Sequence, residues 1–293
     1  MSDGRGTALC LNSSFLGFFA HAGFLDALTQ LGVRPAAVSG ASAGALVAGA
    51  YAAGMAPREM IDWLLTAGVG GAFWEWGCAW RIFGTFMNLP GHTGVLRGHG
   101  ALALLRARLG DRRIEDCRPR LALAVTDLIQ PQAALLTSGP LAEAILASFA
   151  FPGMFAAQRF NGGRYWDGGL ANPVPFDHWL TDPEIDTIVI HSVMNPENDA
   201  GREARGRMGI GSAAAVAHVV ICDELLRLKT ELARRAGKRV LFLETIAPRP
   251  RPWNARAIGA RCVELGAATV AAHRAELAEL IHAPHLDSRG PLH

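Results

Sequence analysis

The sequence predicts an α/β fold: a three-layer sandwich whose mainly parallel central sheet is covered by helices on both faces. Three features carry that reading. Short apolar runs of strand length alternate with longer stretches whose apolar residues recur at helical spacing. One strand-like run, Ala36–Gly40, leads through a sharp Gly-containing turn into a small-residue helix that Gly54 closes. The 293 residues, 50% of them hydrophobic, hold no internal repeat and no linker, so a single domain over residues 1–293 can bury a large core.

In chain order, Thr7–Leu11 reads as a buried strand, Asn12–Gly17 as a loop, and Phe18–Leu31 as a helix with Gly32 as its C-cap. Pro57–Ala67 is a helix with Pro57 in its first turn. Gly68–Gly94 has no clean period and crowds aromatics: Phe73, Trp74, Trp76, Trp80, Phe83 and Phe86. Two readings of it stand side by side: core filling, or a cap that lines an acyl groove or dips into a lipid interface, a boundary that Trp favours. Gly98–Leu109 is a helix, Leu121–Thr126 and Ala133–Leu136 are strands, and Pro140–Phe149 is a helix. Arg164–Trp166 is strand-like and runs into Asp167-Gly168-Gly169. Ile185–Val193 is a strongly β-branched strand and Asn195–Gly211 a polar surface loop. Ala213–Arg235 is a long helix, Arg239–Ile246 the last strand, and Ala255–Leu280 a closing helix after an irregular link with Pro248, Pro250 and Pro252. The motif-bearing part spans 7–195, followed by a helix–strand–helix extension over 205–282.

The turn Gly40-Ala41-Ser42-Ala43-Gly44 has the Gly-x-Ser-x-Gly pattern of a nucleophile elbow. In such a turn the serine sits where strand becomes helix, in a strained geometry that exposes its hydroxyl. The flanking glycines are required because a side chain there would crowd the neighbouring strand or helix. The helix points its first N–H groups and positive dipole end back at the serine. Ser42 is thus the candidate nucleophile. Ala36–Met55 is uncharged and long enough to span a bilayer, but Ala, Gly and Ser dominate it and large aliphatics are few, so no transmembrane segment is expected.

A serine hydroxyl needs a base. His178, His191, His218, His273, His282 and His285 lie downstream, and none sits in an obvious Gly-marked catalytic loop. Asp167 follows a strand and precedes two glycines, a setting that suits a carboxylate facing Ser42 across the C-terminal ends of the strands. Asp-Gly is equally a turn signal.

Gly40-Ala41-Ser42-Ala43-Gly44 together with Asp167-Gly168-Gly169 resembles the Ser–Asp dyad signature of the patatin-like phospholipases. Further resembling stretches are Ala20–Leu25 ahead of the serine, Thr126-Asp127-Leu128, Ala147–Gly153, and Tyr165–Pro175 through the aspartate. The resemblance implies a lipid acyl hydrolase with Ser42 as nucleophile and Asp167 as general base, an acyl-enzyme intermediate, no catalytic histidine, and neither metal nor other cofactor. It also implies a backbone oxyanion hole from the loop after the first strand, here Ser13, Ser14 and Phe15, together with Ala43. The family's loop is Gly-Gly-Gly-x-Arg/Lys-Gly; Ser13-Ser14-Phe15-Leu16-Gly17-Phe18 lacks the three glycines and the basic residue. That departure leaves a weakened enzyme or an inactive acyl-binding protein as the alternative, and it points toward neutral esters or thioesters.

The remaining expectations are broad. A net charge of +2 without a dense basic run argues against a nucleic-acid partner. Cys10, Cys78, Cys117, Cys222 and Cys262 are odd in number and scattered, as in a reducing compartment. With no long apolar stretch near Met1, the expected location is cytoplasmic, with peripheral membrane contact through the aromatic segment and a lipid or acyl ester as partner.

Overall fold

A computed structural model describes residues 6–66, 78–195, 210–250 and 254–282. The sheet is built from β1 (Gly6–Leu11), β2 (Ala37–Gly40), β4 (Arg120–Asp127), β9 (Ile185–Met194) and β10 (Arg239–Ile246), arranged β10-β9-β1-β2-β4 and parallel throughout. Three antiparallel strands extend it around β4: β5 (Gln132–Leu136), β7 (Gln158–Phe160) and β8 (Gly163–Asp167). Apart from this sheet, β3 (Gly94–Leu96) pairs in parallel with β6 (Gly153–Phe155).

Alternation along β1 divides the core into two layers, because successive side chains point to opposite faces of a sheet. Leu9 and Leu11 face one side, where they join α1 (Phe18–Gln30), α2 (Ala43–Ala52), α3 (Pro57–Thr66), α5 (His99–Leu109), α6 (Leu141–Ser148) and α9 (Ala255–Ala272). Ala8 and Cys10 face the other side, where they pack with Trp179 of α7 (Asp177–Leu180) and Ala233 of α8 (Ile210–Arg235). The three layers of the α/β sandwich are therefore present, and the helical layer on the Leu9 side is much the thicker.

The predicted elements recur within a residue or two at their ends, with some differences. The closing helix is divided: α9 ends at Ala272, His273 leaves helical geometry (φ −109°, ψ 23°), and a five-residue α10 (Arg274–Ala278) follows. No proline or glycine marks that break, so periodicity runs through it. The short strands β3, β6 and β7, three residues each, were too brief to carry a period. Most of the predicted Asn195–Gly211 loop lies outside the described residues, as do Phe73, Trp74 and Trp76.

The docking of α9 on α1 is set by two glycines. A Cβ on Gly23 would sit 2.1 Å from the Val263 carbonyl oxygen, and one on Gly266 would sit 2.1 Å from that of Ala20. The helices thus touch backbone to backbone, which only hydrogen side chains allow. Gly266→Ala raises helix propensity by about 1 kcal/mol, but a methyl against a fixed carbonyl forces the helices apart at a cost of about 1–3 kcal/mol. A net fall in urea-unfolding stability is expected, and no change or a gain would show that the helix pair can yield.

Candidate active site

The sheet brings the two candidate catalytic residues together by a change of partner along β4. Leu123 pairs with Gly40 of β2 on one side and with Leu136 of β5 on the other. β2 is only four residues long and turns away after Gly40, while β4 continues to Asp127. The edge that β2 vacates is taken up by β8, which runs antiparallel and sets Asp167 opposite Val125. The residue that ends β8 thus arrives where the chain leaving β2 makes its turn. Ser42 Oγ donates a hydrogen bond to Asp167 Oδ2 at 2.8 Å.

Each partner is held by its own local structure. Ser42 has φ 53° and ψ −117°, a region that costs a non-glycine residue about 1–3 kcal/mol. The strain is held by packing and one hydrogen bond. Ser42 N–H donates to Ser148 Oγ at 3.1 Å, and that hydroxyl donates to the Ala124 carbonyl at 2.6 Å. Gly40 and Gly44 serve close approach: a Cβ on Gly40 would lie 2.4 Å from the Gly44 carbonyl, and one on Gly44 would lie 2.2 Å from the Leu11 carbonyl. Asp167 Oδ1 accepts the Gly169 N–H at 2.7 Å, and Thr126 Oγ1 donates to the Asp167 carbonyl at 2.8 Å. Gly168 lies against the Ala124 carbonyl and Gly169 against the Ser13 hydroxyl, each with no room for a Cβ. Ser148 went unassigned in the sequence reading; it lay inside a resembling segment with no pattern to separate it from any helical serine.

Asp167 is almost wholly buried, and burial pushes its carboxyl up to about 6; the hydrogen bonds from Gly169 and Ser42 pull the other way without offsetting it. The serine and carboxylate open into a cavity of about 420 Å³ whose wall is mostly hydrocarbon, including Leu46, Trp63, Leu105, Phe149, Met154 and Phe155. Ser13, Ser14 and Phe15 line it, as does Ala43. Within the loop the Ser13 N–H donates to the Pro173 carbonyl at 2.7 Å, so it is committed and is not an oxyanion donor. The N–H groups of Ser14, Phe15 and Ala43 have no acceptor among the described residues. Trp80, expected in the groove, does not line it: it is 68% exposed on α4 (Cys78–Phe86). Arg249, from the link after β10, does line the cavity and had no sequence signal.

The loop is anchored at its base by a buried polar chain. Asn12 Nδ2 donates to Ser192 Oγ at 3.0 Å, and Asn12 Oδ1 accepts the Val193 N–H at 2.9 Å. His21 Nε2 lies 3.1 Å from the Asn12 carbonyl, which makes it the protonated nitrogen. His21 Nδ1 then accepts from His191 Nδ1 at 2.8 Å, and His191 Nε2 accepts from the Thr245 hydroxyl at 2.8 Å. Burial keeps both rings neutral, with His21 pushed down to about 3. The two histidines therefore serve the scaffold. His218 donates from Nε2 to the Gly169 carbonyl at 3.3 Å and touches neither Ser42 nor Asp167. Among the described residues no group of three or more His, Cys, Asp or Glu could hold a metal ion.

With the geometry in place, comparison with known proteins is informative. The family model for patatin-like phospholipases matches residues 9–179, more than half of the chain. The chain belongs to the patatin-like phospholipase family. Curated relatives include uncharacterised NTE family proteins of Mycobacterium bovis and Mycobacterium tuberculosis, 30% identical over 169 residues. Those matches cover 57% of this chain and 44% of theirs, so it spans less than half of the relatives' length. Among solved structures it is similar to VipD from Legionella pneumophila (17% identity, TM-score 0.48), covering 94% of this chain and 67% of that one. A second is ExoU in its complex with SpcU from Pseudomonas aeruginosa (15% identity, TM-score 0.41), covering 92% and 52%. Family membership supports lipid acyl hydrolysis as the general activity.

The raised carboxyl at Asp167 has a consequence for stability. Its folded pKa, about 6, lies above the ordinary 3.8, so the folded state favours the protonated form. Stability is lost as pH rises from 3.8 through about 6, and at neutral pH the ionised carboxylate costs up to about 3 kcal/mol. Asp167→Asn removes that cost while keeping an acceptor for Gly169. Thermal unfolding at pH 7.5 is expected to show a gain of about 1–3 kcal/mol, shrinking toward pH 4; a loss at pH 7.5 would contradict the origin assigned to the shift.

Proposed function

We propose that this protein is a serine acyl hydrolase of the phospholipase, lipase and esterase type that cleaves fatty-acyl esters through Ser42 and Asp167. The observation that carries this reading is the 2.8 Å hydrogen bond from Ser42 Oγ to Asp167 Oδ2 on the wall of an apolar cavity. A carboxylate raised to about 6 by burial is a stronger base than an ordinary one, yet stays ionised at neutral pH. As Ser42 Oγ attacks the ester carbonyl, its proton passes to Asp167. The alcohol then leaves with that proton, and an acyl-Ser42 ester remains. Water attacks the acyl-enzyme with Asp167 again as base, releasing the fatty acid and returning the proton to Ser42. The N–H groups of Ala43, Ser14 and Phe15 are the donors for the oxyanion; Ala43 is the first residue of α2, where the dipole adds to its N–H.

A second reading, an acyl-binding protein without turnover, is motivated by the loop. It lacks the family's glycines, and its first N–H is committed to Pro173. Losing one oxyanion donor costs about 100- to 1000-fold in rate, which slows an enzyme and does not by itself abolish it.

Access to lipid is supported by α4 and the turn after it. Trp80, Phe83, Phe86 and Met87 are 50–84% exposed, and Trp80 and Phe83 stack with centroids 5.6 Å apart. Among the described residues no helix is long and apolar enough to cross a membrane, so we infer contact from one side only.

Hydrolysis of p-nitrophenyl esters of medium chain length is expected to vanish in Ser42→Ala and to fall at least about 1000-fold in Asp167→Asn. For the unaltered protein kcat/KM should rise about tenfold per pH unit below 6 and level off above it, because the base must be ionised. Binding of acyl chains with no Ser42-dependent turnover of any ester would establish the second reading. For interfacial contact, replacing Trp80, Phe83 and Phe86 together by Ser should lower activity on anionic vesicles at least about fivefold while sparing short soluble esters. Equal losses on both substrates would instead assign these side chains to packing.

A further inference from the structure

The loop that carries Ser13, Ser14 and Phe15 has no cation of its own; the nearest basic residue in sequence is Arg5 on one side and Arg34 on the other. From sequence this suggested neutral esters. The tertiary structure reverses that expectation, because Arg249 reaches the same loop from the far end of the chain. Its guanidinium carbon lies 5.0 Å from the centroid of the Phe15 ring, and its Nε donates to the buried Asn195 Oδ1 at 3.4 Å. It is the only cation lining the cavity, and Asp167 is the only acid there.

Position gives this charge a direction. Phe15 belongs to the loop on the ester side of the cavity, beside Ser42, and Arg249 stands on that loop. The hydrocarbon wall formed by Trp63, Leu105 and Met154 carries no charge. A bound amphiphile would lay its chain against that wall and bring the groups around its ester toward Arg249. A guanidinium is permanently charged and its planar fork matches the two oxygens of a carboxylate or phosphate. Seated on an aromatic ring, it loses less rotamer freedom on binding than an exposed arginine would.

We propose that Arg249 is a specificity-determining residue that selects acyl esters with an anionic group, phosphate or carboxylate, on the alcohol side of the scissile bond. The proposal rests on the acyl-hydrolase reading for its ester chemistry and on the cavity alone for its binding. Arg249 lies beyond residues 9–179, so the selecting charge comes from outside the family-matched segment. Nothing covalent changes at Arg249.

Two measurements separate the proposal from the activity. The first compares 1-decanoylglycerol 3-phosphate with 1-decanoylglycerol as monomeric substrates. One charge-assisted contact is expected to favour the phosphate at least about tenfold in kcat/KM. Arg249→Gln should bring that ratio to about one, and Arg249→Lys should restore part of it. A ratio near one in the unaltered protein, or one that Arg249→Gln leaves intact, overturns the proposal. The second uses Ser42→Ala protein and calorimetry, so turnover plays no part. Decyl phosphate should bind at least about tenfold tighter than decanol, and Arg249→Gln should abolish the difference. Equal binding of the two overturns the proposal even if esters are hydrolysed. If neither ester turns over while decyl phosphate keeps its advantage, the hydrolase reading falls and the anion site stands. Inorganic phosphate lacks a chain and should not displace decyl phosphate at matched concentration; displacement would mean a free-phosphate site and would overturn the amphiphile assignment.

Discussion

The site depends on one constraint, the exchange of partners along the edge of β4. A parallel strand pair holds Ser42's strand against β4 only as far as Leu123, and an antiparallel pair brings Asp167 to the same edge two residues later. Backbone hydrogen bonds fix both registers, so the distance between hydroxyl and carboxylate is set by the sheet and not by flexible loops. The close approaches follow from it. Gly40, Gly44 and Gly168 are bare because three backbones converge on that point, and Ser148 bridges the elbow to the strand that carries the exchange.

The same convergence makes the region energetically costly. It holds a serine at positive φ and a carboxylate buried with two hydrogen bonds, and each lowers stability at neutral pH. The surroundings offset this with rigid polar anchoring. Asn12 is tied to β9 through Ser192 and Val193, and the neutral His21–His191 pair continues that chain to Thr245 on β10. On the other side, Lys229 of α8 is buried and donates to Asn172 and the Val174 carbonyl, and it pairs with Asp177, so the segment that follows Asp167 is fastened to the helix beneath it. The C-terminal extension, β10 with α8 and α9, thus supports the site from both faces of the sheet.

Much of this was legible in the residues. Strand-length runs alternating with helical periods implied a parallel sheet because burial on both faces leaves no polar alternation to read. The Gly-x-Ser-x-Gly turn was legible because three backbones cannot converge around a side chain. Asp167 was less so: Asp-Gly-Gly suits a turn as well as a site, and only resemblance in order and spacing separated them. Trp80 was misplaced because aromatic crowding reports apolar surface without saying which way a helix turns it, and α4 turns it outward. The break at His273 was invisible because local propensity there favours helix throughout.

By itself, then, the sequence determined what local chemistry dictates: the layers, the strained serine turn, the glycines that permit close approach, and a carboxylate at a strand end. Tertiary structure alone decided which groups meet. It joined Ser42 to Asp167 across 125 positions, committed the Ser13 N–H to Pro173, assigned the histidines to the scaffold, and set Arg249 over Phe15. The reason is physical. A residue's backbone preference and its need for burial act over a few neighbours and leave a pattern in the chain, whereas a contact between distant segments depends on registers and packing distances that no single segment encodes.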